Sequence, residues 1–123
     1  MSRLLYADLT YQIIGAAMEV HQVLGGGYLE QVYEGALAHE LSLLGLQVER
    51  QRKLPVQYKG VEVGFYIADL VVEEKVIIEV KAINNLNKAN EAQLINYITT
   101  TGFRVGLLLN FGNRSLQHKR MVK

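Results

Sequence analysis

Phe65-Tyr66-Ile67-Ala68-Asp69-Leu70-Val71-Val72-Glu73-Glu74-Lys75-Val76-Ile77-Ile78-Glu79-Val80-Lys81 is the stretch on which the fold turns. Two runs rich in Val and Ile, Phe65 to Val72 and Val76 to Lys81, flank the polar Glu73-Glu74-Lys75, a pattern that predicts an antiparallel hairpin. A turn centred on Glu74 sets Asp69 opposite Glu79. The two-residue side-chain period then puts Glu79 and Lys81 on the face of Asp69. Opposed carboxylates in a half-buried sheet repel, at about 1.4 kcal/mol per unit of pKa perturbation, and Lys81 balances only one of them. Mg²⁺ or Mn²⁺, hard ions that take carboxylate, carbonyl and water oxygens, would complete the balance. The plainer reading is a strand-end aspartate beside a solvated ladder of alternating charge. Ile67, Leu70, Val72, Ile77, Ile78 and Val80 crowd the acidic positions and imply strands buried on both faces, which favours the metal site.

Working outward, Asp8 or Thr10 is expected to cap a helix running to about Leu24, with Leu9, Ile13, Ala16, Ala17, Val20 and Leu24 at helical spacing. Gly25-Gly26-Gly27 stops it and permits a tight reversal. A second helix is expected from about Tyr28 to Leu44, burying Leu29, Val32, Tyr33, Ala36, Leu37 and Leu41 and ending at Gly45. Gln47 to Gln51 and Leu54 to Tyr58 read as two strands, and Tyr58-Lys59-Gly60-Val61 as the turn before the Asp69 strand. Asn87 is expected to cap a third helix reaching Thr101, where Gly102 ends it. Arg104 to Asn110 reads as an apolar strand, followed by a short tail through Leu116 and Val122. The order predicts an α/β domain, a mixed sheet with helices on both faces.

A chain of 123 residues is expected to form one domain with one sizeable core, so specificity must come from loops or a partner. Half the residues are hydrophobic and a fifth charged, the balance of an ordinary soluble protein. No apolar run approaches the roughly 18 residues of a membrane span. Met1-Ser2-Arg3-Leu4-Leu5-Tyr6 lacks the features of a secretory signal, so a cytoplasmic protein is expected. The absence of cysteine excludes disulfides, thiolate nucleophiles and Cys-based zinc sites. A net charge of +1 argues against tight autonomous grip on DNA. Arg50, Arg52, Lys53 and Lys59, with Arg114, Lys119, Arg120 and Lys123, form either a phosphate-contacting rim or a solvated surface.

Gly27, Glu30 and Tyr33 spell Gly-x-x-Glu-x-x-Tyr. Together with Asp69, Glu79-Val80-Lys81, Gln93-Leu94-Ile95-Asn96-Tyr97 and Val105-Gly106-Leu107-Leu108-Leu109-Asn110-Phe111-Gly112, they make the chain resemble the GxxExxY proteins of the PD-(D/E)XK nuclease superfamily, from about Leu9 to Val122. The resemblance implies a restriction-endonuclease-like core over residues 1–123, a mixed β-sheet flanked by helices. It implies that Asp69 and Glu79 are metal-binding carboxylates, that the Val80 carbonyl is a further ligand, and that Lys81 positions or activates water. It implies that Glu30, on the preceding helix, helps hold the metal, and that Gln93 and Tyr97 are the polar pair of the crossover helix. Ala68 stands where the superfamily often has proline. DNA is implied ahead of RNA as the substrate.

On the residues alone, Glu30 is also the first-turn glutamate that a helix dipole favours. Tyr33, on the same helix face, either orients Glu30 or finds a partner for a buried ring. Gln93 and Tyr97, at i and i+4, point either at the site or into the packing against the sheet. His21 reads as a partly buried core histidine, and Gly25-Gly26-Gly27 lacks the ending of a phosphate-cradling loop. The expected activity is metal-assisted hydrolysis of nucleic-acid phosphodiesters, with a homodimer as the expected assembly. The rivals are a non-catalytic nucleic-acid- or protein-binding module that keeps the fold, and a hydrolase of smaller phosphoesters.

Overall fold

A computed structural model describes residues 4–123; Met1, Ser2 and Arg3 of the opening lie outside the described residues. The elements run α1 (Ala7–Leu24), α2 (Glu30–Leu43), β1 (Val48–Tyr58), β2 (Val61–Val72), β3 (Val76–Lys81), α3 (Lys88–Thr101), β4 (Val105–Asn110) and β5 (Gln117–Val122). The five strands form one sheet in the order β1-β2-β3-β4-β5. Only β3 and β4 are parallel, joined by the α3 crossover, and every other pair is antiparallel.

The sheet is buried on both faces at its centre. On one face α1 and α2 bring Ile13, Ala17, Val20, Tyr33, Leu37 and Leu41 onto Leu70, Val72, Ile78, Val80, Leu107 and Leu109. On the other, Leu94 and Ile98 of α3 cover Val71, Ile77 and Leu108. Helix α3 comes so close that a Cβ on Gly106 would lie 2.9 Å from the Ile98 side chain. This is the mixed, helix-flanked α/β sheet expected.

Local chemistry sets most of the boundaries. Asn87 caps α3 in a reciprocal box with Asn90, and Gly102 closes the helix at φ 84°. Gly45, at φ 81°, ends α2 while the Leu46 N–H reaches back to the Leu41 carbonyl. Helix α1 departs from expectation. Its cap position is Tyr6, with no side-chain cap, and the Thr10 hydroxyl, already inside the helix, donates to the Tyr6 and Ala7 carbonyls. Helix α2 turns its faces differently too: Leu29 and Val32 are exposed and Glu34 is buried.

Two further differences concern strands. The segments 47–51 and 54–58 are parts of one strand, β1, in which Pro55 is tolerated because the strand lies at the sheet edge. The expected tail is in large part a fifth strand, β5, paired along β4 from Val105↔Val122 to Asn110↔Gln117. Its anchor is the buried Asn110. That side chain donates to the Ile83 carbonyl and Gln117 and accepts from the Ile83 and Gly112 N–H groups.

Candidate active site at the fork of the sheet

The β2–β3 ladder pairs Val72 with Val76, Val71 with Ile77 and Leu70 with Ile78, the register of a turn centred on Glu74. Glu73 and Glu74 both take φ 55° to make that turn, and Glu73 is held by bonds to both backbone groups of Gln47. One step further on, Asp69 and Glu79 are level and their side chains bond across the gap. The Asp69 N–H donates to Glu79 Oε2 at 3.3 Å, and the Val80 N–H donates to Asp69 Oδ2 at 2.8 Å. Beyond this point β2 leaves β3 and runs with β1 alone, so the two carboxylates occupy the fork where the sheet divides.

The fork also turns the strand over. Leu70 and Val72 pack towards α1 and α2, whereas Ala68 and Tyr66 pack beneath α3, although strict alternation would keep all four on one face. The partner strand turns at the same level, with Gln51 at φ 51° between the pairs Arg50↔Leu70 and Arg52↔Ala68. Asp69 and Glu79 therefore meet in the gap between the strands but are supported from opposite sides of the sheet, instead of standing together on one face as strict alternation had implied. Asp69 opens into a pocket of about 480 Å³ with Leu29, Glu30, Gln31, Glu34 and Gln51. Glu79 reaches the α3 side, where the Tyr66 hydroxyl donates to its Oε2.

Burial dominates the electrostatics. Glu79 is pushed up to about 7, first by loss of water and then by the Asp69 charge, against the pull of the Tyr66 bond, the Asp69 N–H and Lys81. Burial raises Asp69 too, opposed by the Val80 N–H, Gln51 and Lys81. Tyr66 is raised by burial and by Glu79, so it remains a phenol and a donor. Hard oxygen donors whose charge is only partly offset by Lys81 suit a hard divalent cation. Among the described residues no three His, Asp or Glu side chains are grouped closely enough to hold a metal ion between them. A cation at the fork would take Asp69 and Glu79, with main-chain and water oxygens completing its shell.

Glu30 lines the Asp69 pocket, and its carboxylate accepts the Ala82 N–H at 3.3 Å. Deeper in that pocket lies Glu34, only 5 % exposed, which sequence reasoning missed. It accepts from Arg50 at 3.1 Å and from Gln51 at 2.7 Å, and the same Gln51 amide reaches Asp69 Oδ1 at 3.4 Å. A signal was present: Glu34 stands at i+4 from Glu30, a like-charge pair that an isolated helix disfavours.

Tyr66 was also missed. Its ring stacks on Tyr97 of α3 at a 3.6 Å centroid separation, so Tyr97 reaches the fork through Tyr66. Gln93 is exposed on α3, and Lys81 is half-buried at the end of β3. Tyr33 lies apart from the fork. Its hydroxyl donates to the Gly25 carbonyl and accepts from the Tyr28 N–H, and its ring stacks on Phe111, which fixes the α1–α2 reversal rather than Glu30. His21 packs near Phe111 and contacts the Asn113 carbonyl. Of the basic clusters, Arg50 is paired with Glu34, Arg52 with Glu49 and Glu74, and Arg120 donates to the Leu5 carbonyl. No described helix is long and apolar enough to cross a membrane.

The crystal structure of SSO0001 superposes with a TM-score of 0.58 at 14% identity, over 96% of this chain and 59% of that one, a likeness of fold. An alkaline exonuclease from Laribacter hongkongensis aligns at a TM-score of 0.47 and 11% identity, over 100% of this chain and 72% of that one. No curated protein matches. The family model of the PD-(D/E)XK nuclease superfamily matches residues 7–121, and the chain belongs to that superfamily.

Proposed function

We propose that residues 1–123 form a GxxExxY-type nuclease unit that hydrolyses nucleic-acid phosphodiesters, DNA ahead of RNA, with Mg²⁺ or Mn²⁺, in the cytoplasm and as a homodimer. The observation that carries the reading is the pair of carboxylates, Asp69 and Glu79, meeting at the fork of a nuclease-family sheet with Lys81 two residues beyond Glu79.

Asp69 and Glu79 would hold the cation, with the Val80 carbonyl as a further ligand and Glu30 on the pocket wall. When bound, the ion supplies polarisation of a phosphoryl oxygen and a lowered pKa for attacking water. The Lys81 ammonium stabilises charge developing on phosphate or orients the water. Tyr66 keeps Glu79 aimed by its hydroxyl bond, Tyr97 braces Tyr66, and Gln51 ties Asp69 to Glu34. Gln93, exposed on α3, would meet the phosphate backbone.

One observation favours the binding-module alternative: Glu30 is engaged by the Ala82 N–H, and a third carboxylate does not join the fork among the described residues. Calorimetric titration of Mn²⁺ and Mg²⁺ into the wild type and an Asp69→Ala/Glu79→Ala variant separates the two readings, followed by assays on single- and double-stranded DNA and RNA. The nuclease reading expects metal binding and metal-dependent cleavage, both lost in the variant. A wild type that binds no metal, with or without nucleic acid, leaves the binding module.

A further inference from the structure

Past the fork, β1 and β2 continue as a two-stranded arm. Its inner side, with Leu54, Tyr66 and Ala68, is buried under α3. Its outer side is open: Val63, Phe65 and Ile67 are 61%, 54% and 46% exposed, a stripe of alternate residues on one face of β2. Lys53 pairs with Ile67 and Pro55 with Phe65, which puts Lys53 and Pro55 on the same side. The register then slips between Val56 and Gln57 so that Gln57 faces Glu62, and this brings Glu62 to the outer side as well. The face thus has an apolar middle, a cationic end at Lys53 and an anionic end at Glu62.

We propose that this face docks against the same face of a second copy of the chain, with the arms antiparallel about a two-fold axis at Phe65. A two-fold operation exchanges the ends, so Lys53 of each copy meets Glu62 of the other and Val63 covers Ile67. A nucleic-acid strand matches the face less well, because Glu62 opposes phosphate. The proposal names the surface of the dimer in the nuclease reading and rests on that reading for its purpose alone. Asp69 lies four residues beyond Phe65 on each arm, so a strand rise of about 3.3 Å sets the two forks on the order of 25 Å apart.

A face roughly 20 Å by 10 Å is smaller than the about 800 Å² per partner of a standard interface, so the dimer is concentration-dependent. Sedimentation velocity in metal-free, low-salt buffer, from low micromolar to submillimolar chain, tests it without nucleic acid. Wild type is expected to move from 13.8 kDa towards twice that mass. Lys53→Glu and Glu62→Lys should each weaken association about tenfold or more, and the double exchange should restore it. Circular dichroism identical to wild type keeps any loss from being misread as unfolding. A wild type that stays at the monomer mass throughout overturns the proposal, as does a double exchange no better than the singles. Loss of oligonucleotide affinity in Phe65→Ser at unchanged mass gives the face to nucleic acid and also overturns it. Each of these mass readings is blind to whether the fork binds metal, so the dimer and the nuclease can fail separately.

Discussion

Glu79→Gln converts the electrostatics of the fork into a stability measurement. Folded Glu79 keeps its proton up to about 7, against an ordinary glutamate value of 4.5. Between those two values the folded chain binds more protons than the unfolded chain, so stability falls as pH rises and the loss is complete above the folded value. A gap of roughly two and a half units at about 1.4 kcal/mol each makes that loss about 3 kcal/mol. Asp69, also raised, adds a loss of the same sign. Glutamine has the same shape, can still accept from the Tyr66 hydroxyl and the Asp69 N–H, and cannot ionise. In urea unfolding with chelator present, variant and wild type should match near pH 5, and the variant should be more stable by up to about 3 kcal/mol near pH 8. Equal losses of stability in the two proteins over that range would exclude a raised Glu79 as their cause. Adding Mn²⁺ at pH 8 extends the test: at a hundred times its dissociation constant a ligand adds about 2.7 kcal/mol, and wild type should gain this while the variant gains less.

Tyr66→Phe keeps the stack on Tyr97 but removes the hydroxyl that lowers the Glu79 pKa, so calorimetry should find Mn²⁺ binding shifted to higher pH and weakened about tenfold. Lys81→Met should cost cleavage about a hundredfold while calorimetric Mn²⁺ affinity changes little, and an equal loss of both would make Lys81 a structural charge. Gly112→Ala would set a Cβ 2.3 Å from the Ile83 carbonyl oxygen, a backbone atom that cannot step aside, so chemical denaturation should give a loss of about 3 kcal/mol or complete unfolding. Asn87→Ala removes the α3 capping box and should cost about 1 kcal/mol in the same assay.

What the sequence made legible was set by short-range physics. The hairpin register followed from two apolar runs around a polar turn, and α3 followed from Asn87 and Gly102, because turns and caps depend on residues a few positions apart. Strand β5 was not legible. Gln117-His118-Lys119-Arg120-Met121-Val122 is charged because an edge strand must resist further pairing, and the same charges erase the apolar signal by which strands are recognised. Thr10 as a cap failed for a related reason: an N-cap hydroxyl and one bonded back to the preceding turn have the same local sequence.

The candidate site was legible as a set of residues and illegible as an arrangement. Asp69, Glu79 and Lys81 stood out by charge in apolar runs, but placing them required the alternation of β2 to hold through Asp69, and there it turns over. The twist is shared between two strands, with Gln51 at positive φ opposite Asp69, and no property of either segment alone announces it. Its consequences are the parts of the site that sequence reasoning misplaced or missed. With alternation intact, Tyr66 would face away from Glu79; with the strand turned, its hydroxyl supports that carboxylate and Tyr97 gains a route to the fork. On the other side the same turn aims Asp69 at the α2 pocket, where Glu34 and Gln51 meet it. The irregularity therefore divides one charged hairpin face into two differently supported carboxylates, and a variant that straightened the strand would keep every residue of the site while undoing its geometry.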